Sequence, residues 1–125
     1  MYTEKVNPIT VEVIGNALAS IADEMLVGLI KSAYSTNIKE RQDCSSVVMD
    51  SDGRVVCISD MSLPMHLSSF MFTGEALLGR FPKETINPGD VFIVNDPYRG
   101  GPSHLADVTF IAPVFSDCLL YTSPS

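Results

Sequence analysis

Positive charge is scarce in this sequence, and tryptophan is absent. The 125 residues include 8 lysines and arginines against 15 aspartates and glutamates, so the formal net charge is -7. The basic residues are scattered, whereas a phosphate backbone is bound by clustered ones. The sequence therefore predicts no nucleic-acid partner.

Unbroken apolar runs and cysteine motifs are also missing. No uninterrupted apolar run approaches the roughly 20 residues of a membrane span, and the first residues lack the pattern of a signal peptide. Cys44, Cys57 and Cys118 have neither CxxC nor CxxH spacing and are too few to staple a secreted domain. We expect reduced thiols, no membrane partner and a cytoplasmic location.

The first half of the chain predicts a long helix and a hairpin. With 46% hydrophobic residues, the chain has enough apolar side chains for one packed domain. Asn7 and Pro8 signal a helix start, and apolar residues then recur at three- and four-residue spacing to about Tyr34. The turn residues 50–53 separate two apolar strands, which predicts a β-hairpin.

The second half predicts another helix and two more strands. Residues 65–78 are apolar nearly all round, as is typical of a buried helix, and residues 91–94 and 108–111 are typical of buried strands. The expected fold class is therefore α+β. Its parts are a long N-terminal helix, a β-hairpin, a buried second helix, and two strands that flank a glycine-rich active-site loop.

The loop between those strands, residues 95–107, is rich in reactive side chains. His104 and Asp107 are three residues apart, so one turn can offer a nitrogen and an oxygen to a divalent ion. Two ligands alone make a weak site, and Asp96 and His66 are the nearest candidates for others. Each residue also has a commoner structural role: loop capping for Asp107, a backbone hydrogen bond for His104, a turn for Asp96, and a core position for His66.

Other charged and flexible residues leave similar alternatives. Arg99 can bind a carboxylate or phosphate or remain a solvated charge. Arg41 and Asp43 can form a surface ion pair or face the site. Gly100 and Gly101 can approach a ligand closely or form a flexible tip.

Three stretches together resemble the hydantoinase B/5-oxoprolinase family: YSTNIKERQDCS at 34–45, PMHL at 64–67 and NDPYRGGPSHLAD at 95–107. That family includes the B subunit of N-methylhydantoinase, the C-terminal half of 5-oxoprolinase and the α subunits of acetone and acetophenone carboxylases. The resemblance implies that residues 1–117 are the N-terminal part of such a domain. Residues 118–125 match translated adapter sequence, so we expect them to be a non-native tail.

The resemblance implies ATP-dependent chemistry divided between two modules in a hetero-oligomer. A hydantoinase A-type partner binds ATP and phosphorylates a carbonyl or amide oxygen, and the B-type module then completes the reaction. The expected function is a cyclic amidohydrolase that opens a hydantoin or 5-oxoproline ring, with the fragment inactive alone. One alternative is the α subunit of an acetone- or acetophenone-type carboxylase, and another is a non-enzymatic subunit-interaction module.

Site roles also follow from the resemblance. It implies a divalent metal, Mn, Zn or Mg, held by His104 and Asp107, and it implies catalytic and substrate-binding roles for seven other residues. The catalytic residues are Asp96, Arg99 and His66, and the substrate-binding residues are Arg41, Asp43, Gly100 and Gly101. Ala106 stands where many relatives have proline, which loosens the backbone before Asp107.

Overall fold

The computed structural model describes the backbone of residues 5–116 and 119–124 and the side chains of residues 5–116. Within these residues the fold has the α+β class that the sequence predicts. The elements in chain order are α1 (Pro8–Ser32), α2 (Thr36–Lys39), β1 (Val47–Met49), β2 (Val55–Ile58), α3 (Leu67–Arg80), β3 (Phe92–Val94), β4 (Thr109–Ser116) and β5 (Leu119–Pro124). Short 3-10 turns at Pro64–His66 and Lys83–Thr85 precede α3 and β3 respectively.

The strands form one antiparallel sheet with the order β2-β1-β5-β4-β3. The predicted hairpin is confirmed, because Val47 of β1 lies opposite Ile58 of β2 and Gly53 in the turn has a φ of 79°. Strands β3 and β4 pair directly, with Val94 opposite Thr109. This pairing holds the two ends of the 95–107 loop side by side.

The predicted non-native tail at residues 118–125 lies partly outside the described residues. The backbone of Leu119–Pro124 forms β5, which pairs with β4 along its length and with β1 at one position. The origin of this segment stays a prediction.

Helix α1 begins where the sequence predicts, and its C-terminal half packs against the hairpin. The Asn7 side-chain oxygen accepts a hydrogen bond from the N–H of Ile9 at 3.0 Å, which caps the helix. Ala22 and Leu26 are buried, whereas Ile9 and Ile14 are exposed. By length and composition alone α1 could cross a membrane, but a core helix of a soluble protein meets the same criterion. The expectation of no membrane partner stays a prediction.

Helix α3, the predicted second helix, is buried along one face, although its sequence is apolar nearly all round. Phe70 and Leu77 are buried, while Met71 and Phe72 are 58% and 64% exposed. The reason is that α3 lies across the hairpin and the 95–107 loop on one side. Met71 and Phe72 lie on its other side, which is exposed in the part of the chain that the structure describes.

In the two strands that flank the loop, less and more exposed positions alternate, whereas the sequence predicts buried strands. In β4, Thr109 and Ile111 are buried and Phe110 is 43% exposed. Ile93 of β3 lies opposite Phe110 and is 65% exposed. One face of this strand pair is therefore an open apolar surface in the part of the chain that the structure describes.

Candidate active site

Three separate segments meet at a cavity of about 520 Å³. The segment after α2 contributes Asp43 and Ser45, the turn before α3 contributes His66, and the end of the 95–107 loop contributes Asp107. Apolar side chains, Leu29, Ile38, Phe70, Val108 and Phe110 among them, line the remainder of the cavity. Polar groups thus converge on a partly apolar space of a size common for small-molecule sites.

Local structure presents the first two of these side chains. After α2 the backbone of Gln42 turns sharply, with a φ of 55°, and Asp43 follows. The Asn37 side-chain amide donates to Asp43 Oδ2 at 3.0 Å and orients the carboxylate. His66 ends the 3-10 turn that Pro64 begins, so its side chain is set at the start of α3.

The loop brings His104 and Asp107 to one side of a single turn. The N–H of Asp107 donates to the carbonyl of His104 at 3.3 Å, and Nε2 of His104 lies 3.4 Å from Oδ2 of Asp107. Their side chains differ in exposure, at 60% for His104 and 32% for Asp107. The imidazole is therefore the more solvent-accessible of the two groups.

The four ionisable side chains form a continuous series that we call the His/Asp chain: Asp43, His66, Asp107 and His104. His66 Nε2 lies 3.6 Å from Oδ1 of Asp43 and 4.0 Å from Oδ2 of Asp107. Asp107 Oδ2 is therefore shared between both imidazoles. Asp43, His66 and Asp107 line the cavity, whereas His104 lies outside its lining, beyond Asp107.

The donor types and spacing of His104 and Asp107 fit a divalent metal as two neighbouring ligands. Two ligand atoms about 2.1 Å from a tetrahedral ion lie about 3.4 Å apart, which matches the distance between Nε2 and Oδ2. In residues 5–116, no three His, Cys, Asp or Glu side chains are grouped to hold one ion. The pair thus supplies two ligands of a shell that needs others.

Asp96 and Arg99 line no part of this cavity. Asp96 Oδ1 accepts from the N–H of Tyr98 at 2.9 Å, and its carbonyl accepts from the N–H groups of Arg99 and Gly101, so Asp96 organises the turn. The exposed Arg99 guanidinium lies 3.6 Å from Asp96 Oδ2. Arg99 and Tyr98 line a second, more open depression beside α3, together with Arg80.

Gly100 and Gly101 let the loop lie close against α3 and against itself. Gly100 has a φ of 82°, and a Cβ there would collide with the Cβ of Ala76. Its carbonyl accepts from the buried Thr73 hydroxyl at 2.6 Å. A Cβ on Gly101 would lie 2.5 Å from the carbonyl oxygen of Asp96. Both glycines therefore have a packing role in this chain.

Arg41 lies in the exposed turn after α2, outside the cavity lining.

Two residues beside the predicted site were missed by the sequence analysis: Asn37, which orients Asp43, and Ser45, whose hydroxyl lies 2.6 Å from Nδ1 of His66. Both belong to the 34–45 stretch that carries the family resemblance. Their neutral side chains gave no chemical signal of their own.

Burial raises the pKa of both cysteine thiols in residues 5–116. Burial raises the pKa of the Cys44 thiol above its ordinary value of 9.0, and the nearby charge of Asp43 raises it further. Burial also raises the pKa of Cys57, partly offset by a backbone hydrogen bond from Val48 and reinforced by the charge of Asp23. Both thiols are therefore protonated at neutral pH and are poor nucleophiles.

We predict slow alkylation of these thiols in the folded chain. In a Cys118→Ser background at pH 8, iodoacetamide should label Cys44 and Cys57 at least about tenfold more slowly than in urea, since labelling needs the thiolate and access. The free energy of unfolding should fall as pH rises above 9.0. The thiol pKa is higher in the folded chain than in the unfolded chain, so loss of the proton favours the unfolded chain. Cys44→Ala should reduce that pH dependence, and equal labelling rates with and without urea would contradict the prediction.

A family model described as Hydantoinase B/oxoprolinase matches residues 7–123. Three curated relatives illustrate the similarity. An uncharacterised protein of Methanocaldococcus jannaschii is 40% identical over 109 residues, which are 86% of this chain and 19% of that protein. The 5-oxoprolinase of Saccharomyces cerevisiae is 37% identical over 115 residues, 92% of this chain and 9% of that enzyme. The B subunit of a putative D-/L-hydantoinase from a Pseudomonas species is 35% identical over 114 residues, 90% of this chain and 19% of that protein.

Among solved structures, nucleotide-free acetone carboxylase has the same fold over this region. The TM-score is 0.76 and the identity 18%, with 96% of this chain and 16% of that chain covered. At this identity the likeness concerns the fold alone. The chain thus spans a fifth or less of the length of these relatives and of this structural neighbour.

Proposed function

The chain belongs to the hydantoinase B/oxoprolinase family, and from this premise we propose that it is a segment of the B-type subunit of an ATP-dependent cyclic amidohydrolase. In this proposal an A-type partner binds ATP and phosphorylates the substrate, and the B-type subunit opens a hydantoin or 5-oxoproline ring. Relatives named as 5-oxoprolinases and as the B subunit of a hydantoinase support the proposal. The subunits form a cytoplasmic hetero-oligomer, and the segment alone is inactive.

The observation that carries the proposal is the His/Asp chain at the wall of the cavity. A ring of the size of hydantoin fits in about 520 Å³, and its polar edge would meet Asp43, His66 and Asp107, with His104 beyond Asp107. The apolar side chains of Phe70 and Phe110 would contact the rest of the ring, and this contact would remove apolar surface from water.

His104 and Asp107 are the proposed metal ligands. When bound, a divalent manganese, zinc or magnesium ion supplies positive charge that polarises a carbonyl and stabilises negative charge on oxygen. The remaining ligands come from parts of the longer polypeptide that this chain does not include. His66, whose Nε2 lies between the carboxylates of Asp43 and Asp107, is the proposed general acid or base at that atom.

The other residues assigned from the resemblance have supporting roles in the proposal. Asp43 contacts the substrate inside the cavity, where Asn37 holds its carboxylate. Arg99 is exposed and suits a bidentate contact with phosphate or carboxylate, with Asp96 holding its turn. Arg41, Gly100 and Gly101 lie outside the cavity lining, and their proposed substrate-binding role rests on the family resemblance.

An assay of the longer polypeptide with an A-type partner tests the proposal. With ATP and hydantoin or 5-oxoproline, we expect one ADP for each ring opened, in the absence of bicarbonate. ATP consumption that requires bicarbonate and a ketone would instead identify the carboxylase alternative. No turnover with any of these substrates, together with no divalent metal bound, would favour the subunit-interaction module.

A further inference from the structure

Ser45 makes two hydrogen bonds in a buried position beside His66. It is 8% exposed, its Oγ accepts from the N–H of Leu63 at 3.1 Å, and the same oxygen lies 2.6 Å from Nδ1 of His66. Both hydrogen bonds join separate segments, since Ser45 follows α2 and the other two residues belong to the turn before α3. The hydroxyl therefore ties the two walls of the cavity together at the imidazole.

The hydrogen-bond pattern decides which ring nitrogen carries the proton. A serine hydroxyl has one hydrogen to donate, and the N–H of Leu63 already occupies one of its acceptor positions. Among the described residues, Nδ1 of His66 is the group at hydrogen-bonding distance that can accept that hydrogen. If Nδ1 carried the proton, the buried hydroxyl would accept twice and its hydrogen would have no acceptor.

The surroundings of Nε2, on the opposite side of the ring, independently favour the tautomer in which Nε2 carries the proton. Nε2 of His66 faces Oδ1 of Asp43 at 3.6 Å and Oδ2 of Asp107 at 4.0 Å. A carboxylate accepts hydrogen bonds and cannot donate them, so an N–H at Nε2 is attracted and a bare lone pair is repelled. Both sides of the imidazole thus require the same tautomer.

We propose that Ser45 is a positioning residue that holds His66 in the Nε2–H tautomer, so that the N–H of His66 is directed toward the carboxylates of Asp43 and Asp107. The N–H at Nε2 then attracts both carboxylates electrostatically, across 3.6 Å to Asp43 and 4.0 Å to Asp107. His66 is not a metal ligand through Nε2, because that atom carries the proton. This inference rests on the proposed function only where it predicts an effect of Ser45 on turnover. The tautomer itself is a property of this chain.

The tautomer can be measured without any activity. The chain has two histidines, so long-range 1H–15N spectra of the 15N-histidine-labelled chain at pH 8 resolve both rings, and a His104→Gln variant assigns them. We expect His66 to have a protonated Nε2 and an unprotonated, hydrogen-bonded Nδ1. Ser45→Ala should shift Nδ1 strongly and introduce the second tautomer, whereas Ser68→Ala, an exposed serine on α3, should change neither ring. A protonated Nδ1 in the wild-type chain would overturn the proposal.

Turnover of the longer polypeptide with its A-type partner provides a second test. Ser45→Ala should lower kcat about 10- to 100-fold with KM little changed, as expected when a residue that orients an active-site group is lost. Ser45→Thr keeps the hydroxyl, and its added methyl group has space because Ser45 lines the cavity. We therefore expect Thr to restore most of the rate. A Thr variant as slow as Ala would overturn the positioning role.

Different experimental outcomes would contradict the proposed function and the inference about Ser45. If ring opening is absent but His66 has the Nε2–H tautomer, the proposed function is wrong and the inference about Ser45 stands. If ring opening occurs and Nδ1 carries the proton, the inference about Ser45 is wrong and the proposed function stands.

Discussion

Replacement of His104 by alanine should abolish metal binding at the proposed site and lower ATP-coupled turnover at least about 100-fold. The loss exceeds the 10- to 100-fold typical of residues behind the ligands, because a ligand itself is removed. Asp107→Asn should have a comparable effect, since it keeps the shape of the side chain and removes the charge that Nε2 of both histidines faces. Metal content of the longer polypeptide and kcat with its A-type partner are the two measurements.

Asp60→Asn provides the matched control for the change at Asp107. Asp60 is exposed and lines neither cavity, so metal content and kcat should match the wild-type protein. If His104→Ala and Asp107→Asn both retained full metal content and turnover, the site assignment would be wrong. Loss of turnover with metal content unchanged would also reject the metal role while leaving the residues in the reaction.

The composition of the candidate site was only partly predictable from sequence. His104 and Asp107 are three residues apart, so local geometry was enough to predict that they face each other. Asp43 and His66 are 23 positions apart and meet because the turn after α2 and the turn before α3 both abut the hairpin. That meeting depends on tertiary packing, which no short-range pattern encodes. Ser45 was missed for the same reason, since it contacts His66 from a different segment. Asn37 contacts Asp43 within the same stretch of chain, and its neutral side chain gave no chemical signal of a role in the site.

The fold shows a similar division between local and tertiary information. The α1 start, the 50–53 turn and the types of the elements follow from capping, turn chemistry and periodicity. Burial was predicted less well, because apolar residues such as Phe72 and Ile93 were assigned to the core. They are exposed in this chain, and the curated relatives are at least five times longer than the matched segment. An apolar residue in the sequence indicates that its side chain is buried in a packed interface. The sequence of one segment does not say which other part of the protein forms that interface.

Replacement of Gly74 by alanine should destabilise the fold, although the same change in an open helix stabilises it. Gly74 lies where α3 crosses the hairpin turn, and a Cβ there would collide with the carbonyl oxygen of Gly53 and lie 2.7 Å from its carbonyl carbon. The obstacle is backbone, so α3 or the turn must move. Overpacking of this kind costs about 1–3 kcal/mol, and 1 kcal/mol corresponds to about 4 °C in Tm for a chain of intermediate size. Thermal unfolding measures the effect.

Gly79→Ala is the matched control on the same helix. A Cβ at Gly79 meets nothing within 4 Å, so alanine should raise stability by about 0.4–1 kcal/mol through a lower entropy of the unfolded chain. The two variants therefore have opposite expected signs despite identical chemistry. The movement of α3 forced by Gly74→Ala should also displace residues at the cavity. Thr73 of α3 donates a hydrogen bond to the loop at Gly100, and α3 begins directly after His66. A Gly74→Ala variant as stable as Gly79→Ala would show that helix and hairpin do not cross at this distance, and that α3 does not fix the spacing of the site.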